Sequence, residues 1–197
     1  MKLVQMPVNL LHITEADLDA GGFDAGLLAA VRAYLPDALA DRRGAAILAP
    51  SGGGGRQVLM LLARRIGAAL RDENIEARDS GSDMAAQKKR LCYLPGQLLG
   101  GALALPDARA AIVTEAACFL QDLEAATSAV PPAALLALLD ERHRAGLPTF
   151  LNADPDRLPS DLTAGLRARL LVLAQSRPAG EPSEDESRAG ESSVESS

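Results

Sequence analysis

The sequence predicts an α/β protein in which a five-stranded parallel sheet is covered by helices on both faces. Three observations carry that expectation. From Gly44 onward, short apolar runs alternate with stretches whose apolar residues recur at helical spacing, the pattern of strands joined by crossover helices. Consecutive glycines, Gly52 to Gly55, fall between the first such run and the first such helix. Of the 197 residues 48% are hydrophobic, enough for one core and too few for two ordinary domains. Ala and Leu supply most of that fraction, against two Tyr, three Phe and no Trp, which favours helices and argues against stacking of nucleic-acid bases.

The elements follow in order. Residues 1–13 are apolar but interrupted by Pro7 and too short for a domain, so they read as an extended arm, and Thr14 with Asp17 three residues on marks a helix start. Asp24 caps a stretch bearing Leu27, Leu28, Val31 and Leu35, ahead of a polar turn at 40–43. Residues 45–49 form the first strand, Ser51 to Gly55 a loop, and Val58, Leu59, Leu62, Ile66, Ala69 and Leu70 one face of a helix. Residues 71–89 are charged without a clear period and read as a surface excursion. Then come a strand at 91–94, a helix at 97–105, a third strand at 110–113, a helix at 133–144 ended by Gly146, a strand at 149–152, a helix at 160–169 and a fifth strand at 170–173. The core thus spans 14–174, and residues 175–197, rich in Ser, Glu, Pro and Gly, are expected to be a disordered acidic tail.

Charge is unevenly placed. The tail holds six acids (Glu181, Glu184, Asp185, Glu186, Glu191, Glu195) against Arg177 and Arg188, so it supplies -4 of the net -6 and leaves the body nearly neutral. That balance argues against broad coating of nucleic acid or an anionic membrane, while the short runs Lys88-Lys89-Arg90 and Arg42-Arg43 leave weak DNA contact open beside their reading as solvated faces. No run approaches the ~18 apolar residues of a membrane span, and the N-terminus lacks the layout of a secretion signal. Cys92 and Cys118 sit in apolar surroundings without CxxC spacing and read as reduced, buried thiols of a cytoplasmic protein, with nucleoid association open. His12 and His143 stand alone, so neither a metal site nor a base for a nucleophile is expected.

Strand, glycine loop and helix make a phosphate cradle: glycines let backbone N–H groups approach an anion, and the helix N-terminus adds its dipole. Gly53, Gly54, Gly55, Arg56 and Gln57 are the candidate residues, in the place of a GxxxxGK[ST] loop. Pro50 replaces the first Gly, Arg56 the phosphate-reaching Lys, and Gln57 the hydroxyl that ligates magnesium. A plain flexible loop explains the same residues equally well. The third strand, ending Ile112-Val113-Thr114-Glu115, puts Thr114 where the metal-site Asp usually lies; Glu115 either polarises a water or caps the next turn. Without a carboxylate at 114 and a hydroxyl at 57, hydrolysis is not expected.

From about Phe23 to Leu173 the order of these pieces resembles the AAA+ P-loop domain of the bacterial replication initiator DnaA and, more closely, of its small Hda-type paralogues. Asp24 to Val31 is similar to the helix entering the P-loop strand, residues 45–62 to P-loop and helix, and residues 111–120 to the Walker B strand. Gly146-Leu147-Pro148-Thr149-Phe150-Leu151-Asn152-Ala153-Asp154-Pro155, with Leu158-Pro159, Asp161-Leu162 and 166–170, is similar to the sensor 1 strand, its turn and the arginine-finger helix. The resemblance implies a sensor role for Asn152 and a finger role for Arg169 toward a neighbouring subunit; the competing readings are a strand-end cap and a surface salt bridge. Gln5-Met6-Pro7-Val8-Asn9-Leu10 resembles the peptide with which such proteins dock on the sliding clamp: Gln5 at the pocket rim, Met6, Val8 and Leu10 within it. Packing of the arm on its own domain is the alternative.

The chain passes from the core into its acidic tail where the family continues into a helical lid, so a lidless core is expected. The function expected is therefore that of a non-catalytic, DnaA/Hda-like regulator of chromosomal replication initiation that binds DnaA, the sliding clamp or the replicative helicase, with no cofactor. Two alternatives stand: a switch or enzyme binding ATP or ADP through a variant P-loop, and an α/β interaction scaffold unrelated to replication.

Overall fold

A computed structural model of the chain describes residues 24–38, 40–79 and 89–174. The expected arm, with Gln5, Met6, Val8 and Leu10, the helix start at Thr14 and the acidic tail lie outside the described residues. Asp24 caps α1 (Ala25–Tyr34) by accepting from the Leu27 N–H at 2.8 Å, and the helix buries Leu27, Leu28, Val31 and Tyr34. There follow β1 (Gly44–Leu48), α2 (Gly55–Asp79), β2 (Leu91–Pro95), α3 (Gly96–Leu103), α4 (Pro106–Thr114), β3 (Ala117–Gln121), α5 (Pro132–Arg144), β4 (Thr149–Ala153), α6 (Ser160–Arg169) and β5 (Leu171–Ala174).

The strands make one sheet in the order β2-β3-β4-β1-β5, every ladder parallel. All strand C-termini therefore share one edge. Side-chain alternation divides the core: Ala45, Ile47, Tyr93, Phe119, Phe150 and Leu173 pack beneath α1 and α2, whereas Ala46, Leu48, Cys92, Leu94, Cys118, Leu120 and Leu151 pack against α3 to α6. With both faces covered, β1, β3 and β4 are buried along their whole length. The scarce aromatics are concentrated in one row: Tyr93, Phe119 and Phe150 are register partners across three strands, and Phe119 stacks on Phe150 at 4.9 Å between ring centroids.

Two sequence expectations give way. The segment 110–113 lies in a helix, and the third strand is Ala117–Gln121. Pro106 stands in the first turn of α4 with Leu105 extended before it, and alanines at 108, 110 and 111 favour the helix, so a short apolar run that fits either period resolved against the strand. The charged stretch after Leu70 does not leave the core as a loop but continues α2 to Asp79.

At the amino edge of the sheet one side chain ties four segments together. Arg142, on α5, has no solvent exposure. Its guanidinium donates to the carbonyls of Ile112 (2.6 Å), Val113 (3.2 Å), Glu115 (3.1 Å) and Pro148 (2.8 Å), and to the Thr149 hydroxyl (2.9 Å). Ile112 and Val113 belong to the last turn of α4, whose carbonyls have no partner within the helix. Arg142→Met, similar in length but without donors, removes the donor from the Ile112, Val113 and Glu115 carbonyls and leaves the Pro148 carbonyl with the Cys118 N–H alone. A loss of about 3 kcal/mol of stability is expected, read as a lower urea midpoint; an unchanged midpoint assigns the clamp no role.

Candidate functional site

At the carboxyl edge, the loop between β1 and α2 turns on Gly52 and Gly54, whose φ of +89° and +82° are rarely open to residues with a Cβ. The Gly53 N–H is folded back onto the Pro50 carbonyl at 2.8 Å. Ser51 fastens the loop to the end of β4: its N–H and hydroxyl both donate to one oxygen of Asp154, at 2.9 and 2.6 Å. The Asp154 N–H in turn donates to Glu124 at 3.2 Å, so the turns after β3 and β4 brace each other and the loop.

A cleft of about 270 Å³ lies above the loop, lined by Gly52, Gly54, Gly55, Arg56 and Gln57 and, across from them, Asp122, Glu124, Asn152 and Asp154. Its centre is Asp122, the residue immediately after β3. Arg56 forms an ion pair with the Asp122 carboxylate. Asn152 and Asp122 bond reciprocally, the Asn152 amide donating to the carboxylate at 2.9 Å and accepting from the Asp122 N–H at 3.0 Å. Gln121 donates to the same carboxylate at 2.8 Å and accepts from the Tyr93 hydroxyl at 2.8 Å, which joins the site to the aromatic row.

Asp122 holds its place at a backbone cost, with φ 53° and ψ 60° in the left-handed region. Its carbonyl passes so close to Gly96 that a Cβ there would lie 2.3 Å from the oxygen, and Gly96 is therefore the residue the turn requires. Burial raises the Asp122 carboxyl, but hydrogen bonds from Arg56, Asn152 and Gln121 outweigh it and hold the group below the usual carboxylate range. Asp154 behaves alike, with burial opposed by the bonds from Ser51 and the Asp156 N–H.

Gly54, Gly55, Arg56, Gln57 and Asn152 thus meet around one cleft, and Gly53 shapes its loop. Thr114 and Glu115 do not join them. Both precede β3 and stand at the opposite edge of the sheet, where the Thr114 hydroxyl donates to the Ala110 carbonyl and the Glu115 carbonyl accepts from Arg142. The residues at the working end of the third strand are Gln121 and Asp122. The apolar run before them, with its Cys, Phe and Leu, bounded by an acid, was the signal available for them.

Arg169, at the end of α6, binds Asp140 of α5 through two bonds of 2.7 and 3.0 Å and the Gly165 carbonyl through a third, so its guanidinium is engaged within its own chain. Of the basic runs, Lys89 pairs with Glu73 and Arg43 with Asp41. Among the described residues no cluster of His, Cys, Asp or Glu is suited to a metal, and no helix is long and apolar enough to cross a membrane.

No family model matches the chain, and no curated protein matches it in sequence. Solved structures do match. DnaI superposes with a TM-score of 0.58 at 17% identity, over 88% of this chain and 93% of its own. Domain III of the Thermotoga maritima replication initiation protein DnaA gives 0.57 at 14% identity, over 94% and 72%. A DNA replication initiation factor gives 0.50 at 12% identity over 83% of this chain, which spans about half, 47%, of that factor's length. The fold is thus a DnaA-like AAA+ P-loop fold: an α/β core on a five-stranded parallel sheet.

The lowered Asp122 carboxyl has a thermodynamic consequence with a definite sign. A group whose acidity rises on folding stabilises the fold above its unfolded value and loses that contribution as the pH falls through the folded one. Stability should therefore decline as the pH drops below about 4, and Asp122→Asn, which tolerates the left-handed backbone, should make the decline shallower. Acid titration of both proteins followed by circular dichroism checks this; identical curves would remove the Arg56–Asp122 pair from the account.

Proposed function

We propose that the chain is a non-catalytic member of the replication-initiation AAA+ proteins, acting by binding a replication protein rather than by hydrolysing ATP. The observation that carries this is the state of the cleft: its one lining cation, Arg56, is committed to the one acid at the end of β3. In P-loop NTPases the corresponding Lys contacts the terminal phosphates, and a hydroxyl and an acid hold magnesium. Here Gln57 and Gln121 stand at the hydroxyl and strand-end acid positions, and both offer amides, which are weak ligands for a hard dication. Support for the replication setting comes from structural likeness to DnaI and DnaA, and that likeness is one of fold.

Two contacts are candidates for the partner. The segment Gln5 to Leu10 has the make-up of an extended clamp-docking peptide, with Met6, Val8 and Leu10 as alternate apolar anchors. The surface of α5 and α6 carries Arg169, which would reach a second AAA+ subunit only on leaving Asp140. A second reading, nucleotide binding without hydrolysis, is favoured by the open volume over the glycine loop.

Two measurements test the proposal. Under it, millimolar ATP or ADP with magnesium leaves the melting temperature unchanged and no phosphate is released; an upward shift by mass action supports the nucleotide reading, and turnover overturns the proposal. Deletion of residues 1–11 should abolish binding to the sliding clamp while leaving the melting temperature of the core in place, and retained binding removes the arm from the mechanism.

A further inference from the structure

We infer that Cys92 and Cys118 form a redox-active dithiol inside the sheet, a covalent modification site that a hydroperoxide closes to a disulfide. The two residues are register partners on the adjacent strands β2 and β3, and both belong to the core beneath α3 to α6. Neighbouring strands lie about 4.8 Å apart, inside the roughly 4.4–6.8 Å between Cα atoms that a disulfide spans. Both thiols are free and buried, on the same face of the sheet.

The row continues to Thr149 on β4, the register partner of Cys118, whose hydroxyl accepts from Arg142. A buried cation sits beside the thiol pair. Arg142 forms no ion pair among the described residues; carbonyl dipoles and the Thr149 hydroxyl solvate it, and its field falls on both sulfurs. The two thiols shift each other most, in opposite senses; burial raises both and the Arg142 charge lowers both.

The chemistry balances with the oxidant named. The thiolate of one cysteine attacks one oxygen of the hydroperoxide, the O–O bond breaks, and water or an alcohol leaves after taking a proton. The resulting sulfenic acid is then attacked by the other cysteine's sulfur; an S–S bond forms, the S–O bond breaks, and the attacking thiol's proton leaves with hydroxide as water. Access is set by topology. Cys92 lies on β2, which among the described residues is laddered to β3 alone, and local opening of such an edge strand takes less free energy than global unfolding.

The experiment uses the intact folded protein, hydrogen peroxide and mass spectrometry. The chain has two cysteines, so a monomer lighter by about 2 Da, the two hydrogens removed, reports one bond, Cys92 to Cys118. That product, restored to the dithiol by dithiothreitol, is expected. In Cys92→Ala the reaction should instead stop at a sulfenic acid on Cys118 that dimedone traps. Two alkylatable thiols after treatment, a disulfide-linked dimer, or oxidation only in denaturant would each overturn the inference; the wild-type result stands whether or not the variant folds.

Discussion

The fold depends on a buried cation to which no carboxylate among the described residues is bonded. Taking a guanidinium out of water costs several kcal/mol, and burial lowers the affinity of Arg142 for its proton accordingly. What offsets that cost is the geometry of five oxygens supplied by the end of α4, the approach to β3 and the start of β4. Three of them, the carbonyls of Ile112, Val113 and Glu115, lie at the end of α4 and just past it, where the helix supplies no donor. Because the donors of one guanidinium are rigidly disposed, the three segments are fixed relative to one another as well as to α5.

That fixing reaches the other edge of the sheet. With Cys118 set against Thr149, the two strands run in step through Leu120 and Leu151 and emerge with Asp122 and Asn152 side by side. A slip of one residue would turn alternate side chains to the wrong face and separate the pair. The candidate site is therefore a consequence of register. Its left-handed Asp122 and the closely approached Gly96 record how tightly the chain must turn there to bring the carboxylate under Arg56.

Four strands and most helices were legible because each is a contiguous pattern. β1, β2, β4 and β5 fall within a residue of the apolar runs that announce them, α6 runs from Ser160 to Arg169 as its spacing predicts, and Gly146 ends α5 with φ +69°. The third strand was not legible at 110–113, because a short apolar run fits helix and strand alike and the proline at 106 decided it. The site divides in the same manner. Its loop half is one stretch of sequence, whereas Ser51 and Asp154 are 103 positions apart and Asp122 and Asn152 are 30 apart, a proximity that only the strand order creates. Misplacing β3 hid Asp122 and lent Thr114 and Glu115 a role at the wrong edge.

The three departures of the cleft from a magnesium-dependent P-loop are best understood together as one electrostatic solution. A loop that holds a metal needs acids and hydroxyls in excess of cations, since the dication supplies the balance. Gln121 at the strand-end acid position and Gln57 at the hydroxyl position take away two ligands of that kind, and the guanidinium at 56 reaches across to Asp122 beside them. Glu124 and Asp154, the other acids of the cleft, accept from backbone N–H groups and from Ser51. The central pair is neutral, and Asp122 is bonded by Asn152 and Gln121 as well. A phosphate entering this cleft would have to compete with Asp122 for Arg56 and would leave a bare carboxylate facing an anion. Under the proposed non-catalytic reading, an arginine at 56 that closes on Asp122 sets an ion pair within the chain where a P-loop lysine would meet phosphate.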